Sequence, residues 1–487
     1  MTKLELVFVP MPAMGHITPM VELAKRLVRR DERISITILL FKLPMFDISS
    51  YIKTLDADPY FLNKRIEFLQ ISEVEKPTGN APNAGPPDFQ QLLVQSRPVI
   101  KQSVEKHAIG SGTRLAGFVV DLFCSSVMAV ADELSIPSYI LFASGSSLLS
   151  LLFHFQHLRD NQGIDITQWE DQDAEFHIPV FRNPVPYKLL PGRLVGKDGG
   201  SLMDQAKRYR DAKGIIINTF EELESQAIGT LSEDPKVPKL YPVGPIVNVD
   251  AQIKEGNEAQ KDDIIRWLDR QPPASVVFLC FGSMGSFLED QVIQMAKGLE
   301  QSGQRFLWSL RQPPSLAKGG KPEPPRDYTD LGNVLPEGFL ERTAERGKII
   351  GWAPQVAVLS HPAVGGFVSH CGWNSTLESL WFGVPVATWP LYAEQQMNAF
   401  QLVKELGIAV EIRMDFKWDH LKGESNVLVG AAVIEKGVRE LMNKKNGVRS
   451  KVKKMSEVGR KATEEGGSSY VWMGRFIEDV FKNIEES

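Results

Sequence analysis

Two α/β domains, each a mainly parallel, doubly wound sheet with helices on both faces, are the fold the chain predicts. Three observations predict it. Short apolar runs alternate with amphipathic helical stretches, the pattern of a parallel sheet covered on both sides. The 487 residues are more than one compact core organises. The segment Pro242-Val243-Gly244-Pro245, followed by a polar run from Asp250 to Asp263, has linker composition, and the alternation restarts after it. This sets a first domain at 1–247 and a second at 248–468.

Leu4 to Val9 reads as a buried strand, Pro10 to His16 as a loop, and Ile17 to Arg30 as a helix with Met20, Leu23, Ala24 and Leu27 on one face. Strands follow at Ile34 to Phe41, Ile66 to Ile71, Leu115 to Val120, Ser138 to Phe142 and Gly214 to Asn218. The proline-rich stretches Glu75 to Asp88 and Pro179 to Gly200 are expected to be surface loops. Beyond the linker, strands at Ser275 to Phe281, Arg305 to Leu310 and Lys348 to Gly351 accompany a helix from Asp290 to Gln301 that stops at Gly303. Gln312 to Asp330, rich in Pro, Gly and Lys, is a further loop. A last helix, about 471–484, follows Gly466-Gly467-Ser468-Ser469.

Composition narrows the functional classes. A net charge of −5 with no basic run points away from nucleic acid as a partner. Cys124, Cys280 and Cys371 have no CxxC spacing, and no His/Cys/Asp/Glu cluster has metal-ligand spacing, so reduced thiols and no metal are expected. No run approaches the ~20 apolar residues of a membrane span, and no basic leader precedes an apolar region. A cytoplasmic monomer without stable membrane insertion is the expectation.

The most informative stretch is Gly365-Gly366-Phe367-Val368-Ser369-His370-Cys371-Gly372-Trp373-Asn374-Ser375-Thr376-Leu377-Glu378. It reads as strand, sharp turn at Gly372, and helix capped by Asn374 or Ser375 and ended near Gly383. Such a turn aims backbone N–H groups and the positive end of a helix dipole at one point, where a phosphate binds. His370, Asn374 and Ser375 stand at that point. Glu378, four residues after Asn374, shares its face and suits the two hydroxyls of a ribose. In the first half, His16 follows one strand and Asp121 another, so both fall at the carboxyl edge of one sheet. A histidine oriented by a carboxylate is the arrangement of a general base, although a loop histidine and a strand-end cap would look the same.

With Gly351-Trp352-Ala353-Pro354-Gln355 upstream and Trp389-Pro390-Leu391-Tyr392-Ala393-Glu394-Gln395 downstream, the 44 residues from Trp352 to Gln395 resemble the signature box of plant secondary-metabolite UDP-glycosyltransferases. The likeness extends over essentially the whole chain. It takes in Pro10 to His16, Val120-Asp121 and Val276 to Ser283, and it is nearest to enzymes acting on phenolics, flavonoids and terpenoids. The resemblance implies two facing Rossmann-like domains of GT-B type, with donor and acceptor in the cleft between them and the last helix packed back on the first domain. It implies that Trp352 stacks on uracil, Ala353 and Gln355 read its edge, and Glu378 holds the ribose. Ser283, His370, Asn374 and Ser375 would surround the diphosphate, and Trp373, Glu394 and Gln395 the sugar. His16 with Asp121 would be the catalytic dyad of an inverting transfer from UDP-glucose, a co-substrate, with no cofactor. Met14, Phe123 and Phe142 are candidates for the acceptor wall.

Two positions depart from the family's habit: Glu394 stands where many relatives carry Asp, and Ala143 where relatives often carry Thr. Another UDP-sugar, a C-glycoside product, a nucleotide-sugar hydrolase or epimerase, and a non-catalytic nucleotide-sugar binder are the alternatives the residues leave open.

Overall fold

Every strand pairing in the two large sheets is parallel, as buried apolar runs separated by helices require. The computed structural model describes residues 3–41, 49–55, 58–71, 89–169, 173–196, 199–249, 258–314, 324–419 and 424–485. They fall into two compact units. The first is Met1–Gly163 with Gly200–Asn248 and Lys461–Ser487, the second Ile164–Gly199 with Val249–Arg460.

The first unit is built on seven strands: β1 (Leu4–Val9), β2 (Ile34–Phe41), β3 (Ile66–Ile71), β4 (Arg114–Asp121), β5 (Ser138–Phe142), β6 (Gly214–Ile217) and β7 (Lys239–Pro242), in the order β3-β2-β1-β4-β5-β6-β7. Helix α1 (Met14–Arg30) lays Ile17, Met20, Leu23, Ala24 and Leu27 on this sheet. α2 (Phe89–Ser111) and α3 (Ser146–Gln162) belong to the same unit. The C-terminal helix (Ser468–Glu485) belongs to the same core through Met473, Phe476, Ile477, Val480 and Ile484. The Phe476 ring meets Tyr139 at 5.1 Å and Tyr241 at 5.2 Å, both edge to face. The Tyr241 hydroxyl donates to Asp479 at 2.7 Å.

In the second unit six strands, β8 (Val276–Cys280), β9 (Arg305–Ser309), β10 (Gly347–Ile350), β11 (Val364–Ser369), β12 (Val386–Thr388) and β13 (Ala409–Glu411), run in the order β10-β9-β8-β11-β12-β13. Around them stand α4 (Glu289–Ser302), α5 (Gln355–Leu359), α6 (Trp373–Phe382), α7 (Gln395–Phe400) and α8 (Ala431–Met442). Each sheet changes direction between its first and fourth strands, β1 beside β4 and β8 beside β11. At such a point the connections leave toward opposite faces and open a crevice beyond the carboxyl ends.

Several expectations need correcting. α1 begins at Met14, so His16 stands in a helix rather than a loop; the His16 and Ile17 N–H groups already bond the Ala13 carbonyl at 2.9 Å each. Strand β7 follows Gly214–Ile217 unannounced, because its four residues include a Lys and a Pro. Part of Pro179 to Gly200 is ordered as Val185–Pro186 and Gly192–Val195. The single boundary at 247/248 does not describe residues 164–199, which pack with the second unit. There Phe181 meets Phe400 at 5.6 Å, and the Glu405 carboxylate accepts the N–H groups of Arg182 and Asn183 at 2.9 and 3.0 Å. Arg311–Gln312 pairs antiparallel with Arg326–Asp327, so part of the expected loop at 312–330 is strand. The expected loop at 75–88 lies outside the described residues. Among the described residues no helix is long and apolar enough to cross a membrane.

Phe476 is 1% exposed and couples the C-terminal helix to β5 and β7. Phe476→Ala is therefore expected to cost about 3–5 kcal/mol, read as a lowered urea midpoint of the first unit. An unchanged midpoint would show that the helix adds nothing to that core.

Candidate active site

In the first unit two elements converge on one side chain pair. Asp121, the last residue of β4, is fully buried, and its Oδ1 accepts the Phe123 N–H at 2.9 Å, capping the 3₁₀ turn Leu122–Val127. Its Oδ2 lies 2.8 Å from His16 Nδ1. One carboxylate is thus both strand-end cap and histidine partner. A carboxylate only accepts, so in the neutral ring it fixes the hydrogen on Nδ1 and the lone pair on Nε2. The His16 side chain is 23% exposed, open to a reactant while its partner is sealed from water.

Among the candidates for an acceptor wall, Phe123 is half-buried and sets its ring 5.3 Å from that of His16, edge to face. Met14 is exposed in the same first turn. Phe142 does not belong with them: it is fully buried, with its ring against Tyr209 at 6.1 Å. Its position at the end of an apolar strand suggested a wall, but its side chain points into the core. Tyr209 in turn donates to the Leu122 carbonyl at 2.9 Å. Beside Ala143, the hydroxyl of Ser144 is buried and has no hydrogen-bond partner among the described residues.

In the second unit the candidates follow the carboxyl ends of four strands. Trp352, Ala353 and Gln355 come after β10, Ser283 after β8, His370 to Glu378 after β11, and Glu394 with Gln395 after β12. The sharp turn falls at Cys371, with φ 62°, and not at Gly372, which is the N-cap of α6. Neither Asn374 nor Ser375 is needed as a cap. Gly383, with φ 70°, closes the helix.

Glycine matters here for space. A Cβ on Gly282 would fall 2.7 Å from His370 Nε2, and one on Gly372 2.6 Å. The imidazole is therefore packed between two stretches of bare backbone, one leaving β8 and one entering α6. Burial pushes its pKa down to about 4, so the ring is neutral at physiological pH. Its Nδ1 is buried without a hydrogen-bond partner among the described residues, at the positive end of a helix.

Gln355 draws the rest together: its Nε2 donates to Ser375 Oγ at 2.8 Å and to Glu378 Oε2 at 2.7 Å. The Gln395 carbonyl accepts the N–H groups of Leu391 and Tyr392 at 2.9 and 3.1 Å, which fixes the loop before it and leaves its amide as the donor end. Glu394 is the half-buried N-cap residue of α7. Trp373 is buried, Trp352 is half-buried, and Ser283 is exposed.

Two residues that sequence reasoning passed over hold Trp352 in place. Asp327 accepts its N–H at 3.1 Å, and Ser309 Oγ donates to the Gly351 carbonyl at 2.7 Å. Asp327 sits at the end of a Pro-rich stretch with no local pattern to mark it. Among the described residues no three His, Cys, Asp or Glu side chains are grouped to hold a metal ion.

Two Rossmann-like units, each with its polar side chains gathered at the switch point, define a nucleotide-binding α/β protein of the GT-B type. Residues 237–419 match the family profile described as UDP-glucoronosyl and UDP-glucosyl transferase. The chain is 50% identical over 485 residues to a UDP-glucose flavonoid 3-O-glucosyltransferase of Fragaria ananassa, covering 98% of each. Its structure is similar to a UGT transferase from Siraitia grosvenorii in complex with UDP, at 45% identity and a TM-score of 0.87 over 98% of this chain and 100% of that one. It is also similar to UGT71G1 of Medicago truncatula complexed with UDP-glucose, at 38% identity and a TM-score of 0.83 over 98% of each. The chain belongs to the plant UDP-glycosyltransferase family.

The state of His370 has a consequence for stability. The unfolded chain protonates this residue as pH falls through about 6.5, the folded one only near 4. The unfolded state therefore binds more protons in that window. Stability from this group is complete above about pH 6.5 and is lost on acidification, by on the order of 3 kcal/mol in all. His370→Asn should flatten this part of the pH dependence of the second unit's urea midpoint. An identical slope in wild type and variant would mean that the ring is not held neutral.

Proposed function

We propose that the chain transfers glucose from UDP-glucose, with inversion, to a hydroxyl of a small apolar plant metabolite of the flavonoid, phenolic or terpenoid class. The observation that carries the reading is the 2.8 Å pair of half-exposed His16 with fully buried Asp121. The names of the relatives, a UDP-glucose flavonoid glucosyltransferase and a UDP-glucose complex among them, support the donor and the acceptor class.

His16 Nε2 takes the proton of the acceptor hydroxyl, and Asp121 stabilises the imidazolium that forms. The acceptor oxygen attacks the anomeric carbon from the face opposite the diphosphate. A new C–O bond forms, the bond to the phosphate oxygen breaks, and its electron pair leaves on UDP. An α-linked donor gives a β-glucoside.

In the second unit Trp352 stacks on the uracil, while Ala353 and the carbonyl end of Gln355 read its edge. Glu378, oriented by Gln355, takes the ribose hydroxyls. Ser283, His370, Asn374, Ser375 and the first turn of α6 stabilise the negative charge that develops on the leaving diphosphate. A neutral His370 donates one ring N–H there and brings no net charge of its own. Trp373, Glu394 and the Gln395 amide hold the sugar. UDP-glucose is a co-substrate, no further cofactor is required, and the protein works as a cytoplasmic monomer.

UDP release measured across UDP-glucose, UDP-galactose and UDP-xylose with flavonols, simple phenols and triterpenes tests the reading. His16→Ala is expected to lower turnover at saturating substrates ~10²- to 10⁴-fold while leaving UDP-glucose affinity intact, and Asp121→Asn to lower it by a similar order. Near-normal turnover in His16→Ala would remove the base. Equal release of free glucose with and without an acceptor would make the protein a hydrolase.

A further inference from the structure

Between β11 and α6 the chain turns through a residue that carries a side chain in the left-handed region, Cys371 at φ 62°. An L-residue there presses its Cβ toward the following carbonyl oxygen, so the conformation persists only where neighbours hold it. Three hydrogen bonds do so. The Cys371 N–H donates to Ser369 Oγ at 3.1 Å, its thiol donates to the Ser369 carbonyl at 3.5 Å, and Asn398 Nδ2 donates to the Cys371 carbonyl at 2.9 Å.

Asn398 is 3% exposed and stands in α7, 27 residues further along the chain. The Cys371–Gly372 peptide is trans and planar, so its N–H points opposite its C=O. Pinning the oxygen to α7 fixes the direction of the Gly372 N–H and the start of α6. It also sets the Gly372 backbone against which His370 is packed.

The same short helix follows Glu394 and opens with Gln395, and a further buried amide, Gln396, donates to the Phe416 carbonyl at 2.7 Å. The loop after β12 and the turn after β11 are thus registered by side chains of one element.

We propose that Asn398 is a positioning residue for the diphosphate of the donor: it holds the strained Cys371 turn so that the donors of the α6 N-terminus and His370 keep the geometry an anion needs. The proposal rests on the reading that this turn grips a UDP-sugar. Asn398 touches no ligand in this scheme and acts through the turn. Its loss therefore weakens the diphosphate contacts and spares the nucleoside contacts of Trp352, Gln355 and Glu378.

The test is calorimetric titration of the full chain with UDP and competition titration with uridine. Asn398→Leu keeps the side chain's size, removes the donor and adds no charge. UDP affinity should fall about tenfold while uridine affinity is unchanged. A merely structural role would lower the melting temperature and weaken both ligands together.

Cys371→Gly supplies the rescue, because glycine adopts positive φ without a Cβ. In that background the Asn398→Leu loss should shrink to about twofold. If Asn398→Leu does not fold, Ser369→Ala removes the restraint on the Cys371 N–H and should give the same selective loss of UDP over uridine. Wild type that fails to bind UDP overturns the reading of the turn itself. Wild type that binds, with the UDP-to-uridine ratio unmoved by the variants or the loss undiminished in the Cys371→Gly background, overturns the role of Asn398 alone.

Discussion

In each unit the chain doubles back between its first and fourth strands, and the chemistry of the molecule depends on that reversal. Crossovers in a parallel sheet keep one hand, so reversing the strand order sends neighbouring connections to opposite faces. The carboxyl ends at that point stay uncovered. β1 leads to His16 and β4 ends in Asp121; β8 leads to Gly282 and Ser283, and β11 to His370. Polar groups that would be costly elsewhere along these strands stand at the carboxyl edge, where the strand order reverses.

The two histidines at these edges stand in different surroundings. His16 sets its Nδ1 2.8 Å from a carboxylate buried to 0% exposure and keeps its own ring partly open. His370 is enclosed by glycine backbone at the head of a helix, where burial opposes protonation and the dipole favours an anion. One ring is oriented by a hydrogen bond to a carboxylate, and the other is held neutral by burial. The division follows from packing alone, since the side chains are the same.

How much of this the sequence makes legible follows from the range of the forces involved. Strands such as Ile34–Phe41, Ile66–Ile71 and Ser138–Phe142 are local apolar runs and can be read directly. So can the run from β11 into α6, because a strand, a glycine and a helix lie within a few residues of one another. What escapes is set by contacts across the chain. Asp327 reaches Trp352 over 25 residues and Asn398 reaches Cys371 over 27, and neither stands in a pattern that marks it. Phe142 misleads because strand alternation does not tell a core face from a pocket face when both faces are covered. The capping role assigned to Asn374 or Ser375 is displaced along the chain to Gly372, since the left-handed residue proves to be a cysteine that no propensity favours there.

Amides as well as carboxylates hold the connections of the second unit: Gln395, Gln396 and Asn398 each bond a backbone group of a connection that follows a strand, as Asp327 does with the Trp352 N–H. A buried amide in such a place needs only its hydrogen bonds satisfied, whereas a buried charge would need a counter-charge and would raise its own field beside the ligand. Two of the connections contain a non-glycine residue at positive φ, Cys371 at 62° and Ala393 at 56°. The carboxylates of Glu378 and Glu394 stand just past those turns. Neutral bonds hold the strained backbone at Cys371, beside a helix N-terminus and an imidazole that burial keeps neutral.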